Sequence, residues 1–167
     1  MRLFVAVSFS SETKKMLTEL QTRLREHGVR GNYTSCDNLH LTLAFIGEYD
    51  RPEKVRKALG GVSFEPFELA VGNRTGSFGD LLWVGIERSK ELSSLAVRVR
   101  AALEAADIPF DHKPFKPHIT ILRRAVFTNG AISSDLLRTD TVKMSVERIS
   151  LMESKRINGR LVYSEIK

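Results

Sequence analysis

Cysteine is almost absent from this 167-residue chain. Cys36 stands alone, so no intrachain disulfide can form, and the composition suits a reducing compartment. Long apolar runs are missing too. The opening stretch Leu3-Phe4-Val5-Ala6-Val7 is too short for a signal core with its cleavage site. No segment approaches the roughly 18–20 apolar residues of a membrane helix. A cytoplasmic location without membrane association is therefore expected. Low-complexity tracts and long flexible linkers are also lacking, which leaves nowhere to separate independent domains. One domain over residues 1–167, or two small lobes sharing a cleft, suits the length.

Metal frameworks are missing as well. A zinc set could be gathered only from His40, His112, His118 and Cys36, whose spacings match neither C-x-x-C nor H-E-x-x-H. Gly72, Gly76 and Gly79 form no nucleotide-binding fingerprint, because no helix follows them directly. No metal and no other cofactor is expected.

What is present is an ordinary globular composition with a basic bias. Hydrophobic residues make up 42% and charged residues 28%, enough to bury a core. A net charge of +6 suits a polyanionic partner such as nucleic acid, although charge alone does not decide it. Residues 2–9 read as a strand. Ser10 and Ser11 then offer a helix N-cap, and Met16, Leu17, Leu20 and Leu24 recur at helical spacing up to Gly28. A polar segment over 30–38 precedes a strand over 39–46, and 51–59 reads as a short helix closed by Gly60-Gly61. Strands over 64–71 and 81–86 flank a glycine-bearing loop. Ser89 caps a second long helix with the stripe Leu92, Leu95, Ala96, Val99 and Leu103. A proline-marked stretch over 111–117 leads into a strand from His118. Strands over 141–152 and 160–166 close the chain as a hairpin turned at Asn158-Gly159. The apolar parity shifts between Val146 and Ile149, which reads as a bulge or a strand buried on both sides. The order predicts an α+β fold with largely antiparallel sheets and helices on one face.

One internal repeat carries chemistry. His40-Leu41-Thr42-Leu43 and His118-Ile119-Thr120-Ile121 share the pattern His, aliphatic, Thr, aliphatic. Two such tetrapeptides should meet by chance in about one chain in several thousand, and the spacing suggests two related halves. On a strand, His and Thr share one face while the aliphatic residues pack beneath helices on the other. A lone copy has a ready structural explanation, but packing gives no reason for the same polar pair twice. Two facing copies make a cleft with two imidazoles and two hydroxyls. Phosphodiester opening by water needs that equipment: one imidazole takes a proton from water and an imidazolium protonates the leaving oxygen. The hydroxyls can hydrogen-bond the non-bridging oxygens as their charge grows.

At these residues the chain resembles the two-histidine phosphoesterase superfamily, and within it the RNA 2′,3′-cyclic phosphodiesterases, also called 2′-5′ RNA ligases or LigT-like proteins. The resemblance spans Met1-Arg2-Leu3-Phe4-Val5-Ala6-Val7, the stretch from Asp37 to Glu48, Leu82-Trp83-Val84-Gly85-Ile86, the stretch from Phe115 to Arg123, and the closing strands. It implies a bilobal, pseudo-twofold α+β fold whose two mainly antiparallel sheets line a central cleft, with helices on the outer faces and one motif in each of two intertwined lobes. It also implies opening of a 2′,3′-cyclic phosphate at an RNA end to a 2′-phosphate without metal, and a reverse joining of RNA ends through a 2′-5′ linkage without ATP. By matching positions, His118 is the proton acceptor, His40 the proton donor, and Thr42 and Thr120 hold the phosphate. Arg123 matches an arginine common in this group and is placed to contact phosphate or base. Its neighbour Arg124 lies on the opposite strand face. Tyr33 stands seven positions before the first histidine, where tryptophan is common, and is the candidate for stacking on a terminal base, a contact of about 1–3 kcal/mol. Phe45 matches another frequent aromatic, yet its parity assigns it to the core face.

Other candidates have simpler roles. His27 sits at a helix C-terminus, where a cation is favoured, and His112 lies in a polar loop. Lys113, Lys116, Arg123 and Arg124 suggest a track for the RNA backbone. Two other readings stay open: the same chemistry on small cyclic nucleotides or 2′-5′ oligonucleotides, and a non-catalytic module binding RNA ends or nucleotides. RNA is the expected partner, with no obligate protein partner, and a monomer is expected.

Overall fold

Residues 3–7 bury all five side chains, as a strand covered on both faces must. A computed structural model, which describes residues 1–128, 130 and 132–167, puts this segment at the centre of a four-stranded sheet. There β1 (Arg2–Ser8) lies between β3 (His40–Glu48) and β8 (Ser150–Ile157), with β9 (Arg160–Glu165) outside β8. A five-stranded sheet has the order β2 (Val29–Tyr33), β6 (Ile119–Phe127), β5 (Leu81–Ile86), β4 (Phe67–Phe78), β7 (Val142–Val146). Every ladder is antiparallel.

The helices exchange sheets. Helix α1 (Ser11–Glu26) starts where the Ser10 hydroxyl accepts the Thr13 N–H, and it buries the expected Met16, Leu17, Leu20 and Leu24. It follows β1 of the smaller sheet but packs on β2, β6 and β7 of the larger one. Helix α3 (Lys90–Ala105) is capped by Ser89 and buries its expected stripe. It follows β5 of the larger sheet but packs on β3 of the smaller one, with α2 (Pro52–Gly60) against it. Each of the two long helices, α1 and α3, thus covers the sheet its preceding strand does not belong to, giving the pseudo-twofold, bilobal α+β arrangement. The helices close the outer faces, and the uncovered faces of the two sheets meet at a cleft.

Three expectations need correction. The polar segment 30–38 holds strand β2 and a 3₁₀ turn at Cys36–Asn38. Glycines 72 and 76 lie within β4 rather than in a loop. Gly76 is there because a Cβ would come within 2.3 Å of the Trp83 ring on β5. The single strand expected over 141–152 is two strands in two different sheets, β7 and β8, so the parity shift near Val146 marks a crossing between sheets rather than a bulge. The β8–β9 hairpin does turn at Asn158 (φ 51°) and Gly159 (φ 78°), the left-handed pair that a tight hairpin favours.

Gln21 is the one buried amide on α1. Its Nε2 donates to Thr34 O (2.8 Å) and Ile121 O (2.9 Å), and the Thr34 hydroxyl donates to Thr120 O (2.9 Å). Helix α1 is thereby tied to the strand that carries the second motif. Gln21→Leu should leave a buried carbonyl short of a partner and destabilise the fold by about 1–3 kcal/mol, read as a lower urea midpoint at unchanged m-value. An unaltered midpoint contradicts the tie. Among the described residues no helix is long and apolar enough to cross a membrane.

Candidate active site

The two motifs occupy corresponding places in the two sheets and break their strands in the same way. On β3, Thr42 pairs with Ala6 and Ala44 with Val5, so Leu43 is an extra residue. On β6, Thr120 pairs with Trp83 and Leu122 with Leu82, so Ile121 is the extra residue. Each bulge follows the motif threonine directly and lets two successive apolar residues turn inward, Leu43-Ala44 and Ile121-Leu122, all at most 1% exposed. The alternation then resumes with opposite parity. The third residue after each threonine therefore reaches the cleft: Phe45 in one half, Arg123 in the other. This corrects the expectation that Phe45 belongs to the core face. A second irregularity, with Arg124 at φ 53° opposite Gly31, follows on β6. Arg124 is not among the cleft residues.

The histidines are posed alike. His40 Nδ1 lies 2.7 Å from Asn38 O, and His118 Nδ1 lies 2.6 Å from Lys116 O, each the carbonyl two residues upstream. A carbonyl only accepts, so Nδ1 carries the proton in both rings and Nε2 is the nitrogen free to exchange one. An aromatic ring meets each imidazole edge-on: Tyr163 against His40 (5.0 Å, 84°) and Phe78 against His118 (5.2 Å, 85°). Phe4 adds a tilted contact to His40 at 4.8 Å. His40 Nε2 also lies 2.9 Å from the Thr42 hydroxyl.

Asn38 holds this arrangement. Its side chain, 7% exposed, donates to Leu161 O (2.8 Å) and accepts from Tyr163 N–H (3.1 Å), while its own carbonyl anchors His40. The amide thus fastens β9, and with it the Tyr163 ring, to the first histidine. No sequence signal singled out Asn38, Tyr163, Phe4 or Phe78. Tyr163 and Phe78 lie far along the chain from the histidines they touch, and only the pairing brings them together.

His40, Thr42, His118, Thr120 and Arg123 line one cleft of about 790 Å³, with Arg2 stacked over Phe45 at 5.0 Å. Burial lowers the His40 pKa below the usual histidine value; the hydrogen bond to Asn38 opposes this, while nearby Arg123 and His118 add to it. Burial raises the Tyr163 pKa, against the pull of Arg123 and Arg2. The cleft is therefore positively biased and prefers an anion.

The other candidates fall elsewhere. Tyr33 packs against the core, its hydroxyl donating to Val29 O (2.7 Å) and its ring covered by the Arg25 guanidinium at 4.1 Å. It is not among the residues that line the cleft. His27 closes α1, with Nδ1 at 2.8 Å from Arg23 O. His112 stacks on Phe110 at 4.2 Å, and Cys36 is exposed. The conceivable zinc set is not assembled: among the described residues no three His, Cys, Asp or Glu lie close enough to share a metal. Lys113 and Lys116 border a smaller hollow of about 350 Å³ that adjoins the cleft and shares Thr42, Phe45 and His118 with it, and Lys113 pairs with Asp111 at 3.6 Å.

The fold and the paired motifs define a two-histidine phosphoesterase arrangement. Residues 17–158 match the 2′-5′ RNA ligase superfamily, and the chain belongs to that family. It is 32% identical over 132 residues to an RNA 2′,3′-cyclic phosphodiesterase of Thermotoga maritima, covering 74% of this chain and 70% of that protein. A protein of the same name from Archaeoglobus fulgidus is 33% identical over 135 residues, covering 74% and 72%. Among solved structures, Escherichia coli LigT in its apo form superposes with a TM-score of 0.80 at 25% identity, covering 99% of this chain and 94% of that one.

Proposed function

We propose that this protein hydrolyses the 2′,3′-cyclic phosphate at an RNA end to a 2′-phosphate, with His118 as base and His40 as acid. The matched pose of the two imidazoles on facing strands carries this reading. His118 Nε2 takes a proton from water as the water oxygen bonds to phosphorus. The P–O3′ bond breaks, and protonated His40 delivers a proton from Nε2 to O3′. Thr42 and Thr120 donate to the non-bridging oxygens, and Arg123 offsets their charge. Protons and hydrogen bonds suffice for these steps, so no metal is required. An RNA 5′-hydroxyl in place of water would give a 2′-5′ linkage by the same proton transfers, without ATP. The relatives named RNA 2′,3′-cyclic phosphodiesterase support the substrate class.

The test is product identity. A short RNA with a cyclic phosphate end should yield the 2′-phosphate, distinguished by ³¹P NMR; the 3′-phosphate would remove His40 as donor to O3′. A higher kcat/KM for the oligonucleotide than for the cyclic mononucleotide supports RNA, and the opposite ranking points to small cyclic nucleotides.

The lowered pKa of His40 gives a signed pH prediction. An acid must be protonated to act, so the fraction of enzyme with His40 ready to donate falls as pH rises through its pKa. Followed by NMR in the free enzyme, the His40 imidazole should titrate below the ordinary histidine value of about 6.5. Bound phosphate brings the opposite charge to His40 and should move this midpoint to higher pH. The reverse order would argue against His40 as the acid.

A further inference from the structure

The direction in which an RNA strand leaves the cleft follows from the positions of acid and base; this rests on the phosphodiesterase reading above. Water attacks phosphorus in line with the departing O3′, so base and acid stand on opposite sides of it. With His118 on the side of the water, the ribose lies on the side of His40. The upstream strand is bonded to the 5′ carbon of that same ribose. It therefore leaves across the strands that flank His40, not past His118.

Those strands carry a suitable surface. Tyr163, in ring contact with His40, pairs across the β8–β9 hairpin with Ser154, and the next pair outward on the same face is Arg156 with Leu161. All four border the cleft. At the rise of a β-strand, the Arg156–Leu161 pair stands about 7 Å farther from the histidine. The Arg156 guanidinium is held at the tip by donating to Gly159 O at 3.3 Å, and Leu161 is 38% exposed. The carboxylates nearby already have cations: Glu153 binds Lys155 at 3.0 Å, and Glu48 lies 3.5 Å from the N-terminal ammonium. A free cation beside an exposed apolar side chain suits a phosphate followed by a sugar or base.

We propose that the cleft-facing side of the β8–β9 hairpin seats the nucleotide preceding the terminal one, with Arg156 against its phosphate and Leu161 beneath its sugar or base. Single-stranded RNA is the partner, and the hairpin gives the enzyme its preference for a strand over a mononucleotide.

The test compares kcat/KM for a 2′,3′-cyclic mononucleotide and for a short oligonucleotide with the same end. Wild type, Arg156→Glu, Arg156→Lys and the double variant Lys113→Ala/Lys116→Ala are measured. The oligonucleotide-to-mononucleotide ratio should fall about tenfold in Arg156→Glu, and be retained in Arg156→Lys and in the double variant. The slope of log(kcat/KM) against log salt for the oligonucleotide should shrink by about one in Arg156→Glu. A ratio unchanged in Arg156→Glu overturns the proposal, and a ratio lost in the double variant routes the strand past His118 instead. A wild type that opens neither substrate overturns the phosphodiesterase reading, and the proposal with it.

Discussion

Replacing His118 or His40 by alanine should each lower turnover of a cyclic-phosphate RNA end by about 10²–10⁴-fold, the usual contribution of one positioned proton-transfer group. The two losses should differ in kind. Without His118 water is not deprotonated, and no choice of leaving group compensates. Without His40 the leaving oxygen departs unprotonated, so a phosphodiester with an acidic leaving group, such as a nitrophenyl ester, should largely escape the defect. Loss of packing must be separated from loss of a proton, because His40 rests on Phe4 and Tyr163. Added imidazole can fill the void left by alanine and return the proton-transfer group without restoring any backbone contact. Rescue that rises with imidazole concentration is the expected outcome; folded, unrescued variants with near-normal turnover would remove the pair from the chemistry.

The second large effect concerns the threonines. Thr42→Val and Thr120→Val keep the shape and the β-branched character that suit these strands and remove only a hydroxyl. Each should lower kcat by about 10²–10³-fold, as does loss of a donor aimed at a charge that grows in the transition state. KM should change much less, since the ground-state phosphate already bears its charge and keeps Arg123. Thr42 has a further contact, at 2.9 Å from His40 Nε2, where its hydroxyl can accept from the protonated imidazole while donating its own proton to the phosphate. A raised KM at constant kcat in both variants would make the threonines binding groups without a catalytic share.

The residues that make this site were legible in the sequence in part, for reasons visible in particular strands. The His-x-Thr-x repeat was readable because two residues of strand period keep His and Thr on one face whatever follows. Three residues later the same rule misled. Strict alternation from Thr42 sends Phe45 to the core, and strict alternation from Thr120 would do the same to Arg123. The bulges at Leu43 and Ile121 reverse both, and nothing in an aliphatic pair announces which of its members is unpaired. The exchange of sheets between Val146 and Ser150 was hidden for a similar reason. The run 141–152 has strand composition throughout, and a chain passing between two sheets needs no glycine or proline if the crossing is short. Tyr33 was attractive by distance along the chain, but its partners across the ladder place it against the core and under Arg25. The helices were the easy part, since Ser10, Ser89 and their apolar stripes act locally.

The most direct measurement is single-turnover conversion of an RNA ending in a 2′,3′-cyclic phosphate by the wild-type protein in excess EDTA. Full conversion to the 2′-phosphate, at the rate seen without chelator, is the result expected of two histidines that manage the charge with protons and hydrogen bonds. No conversion with or without chelator would contradict the phosphodiesterase assignment itself, and conversion abolished only by EDTA would contradict the metal-free mechanism.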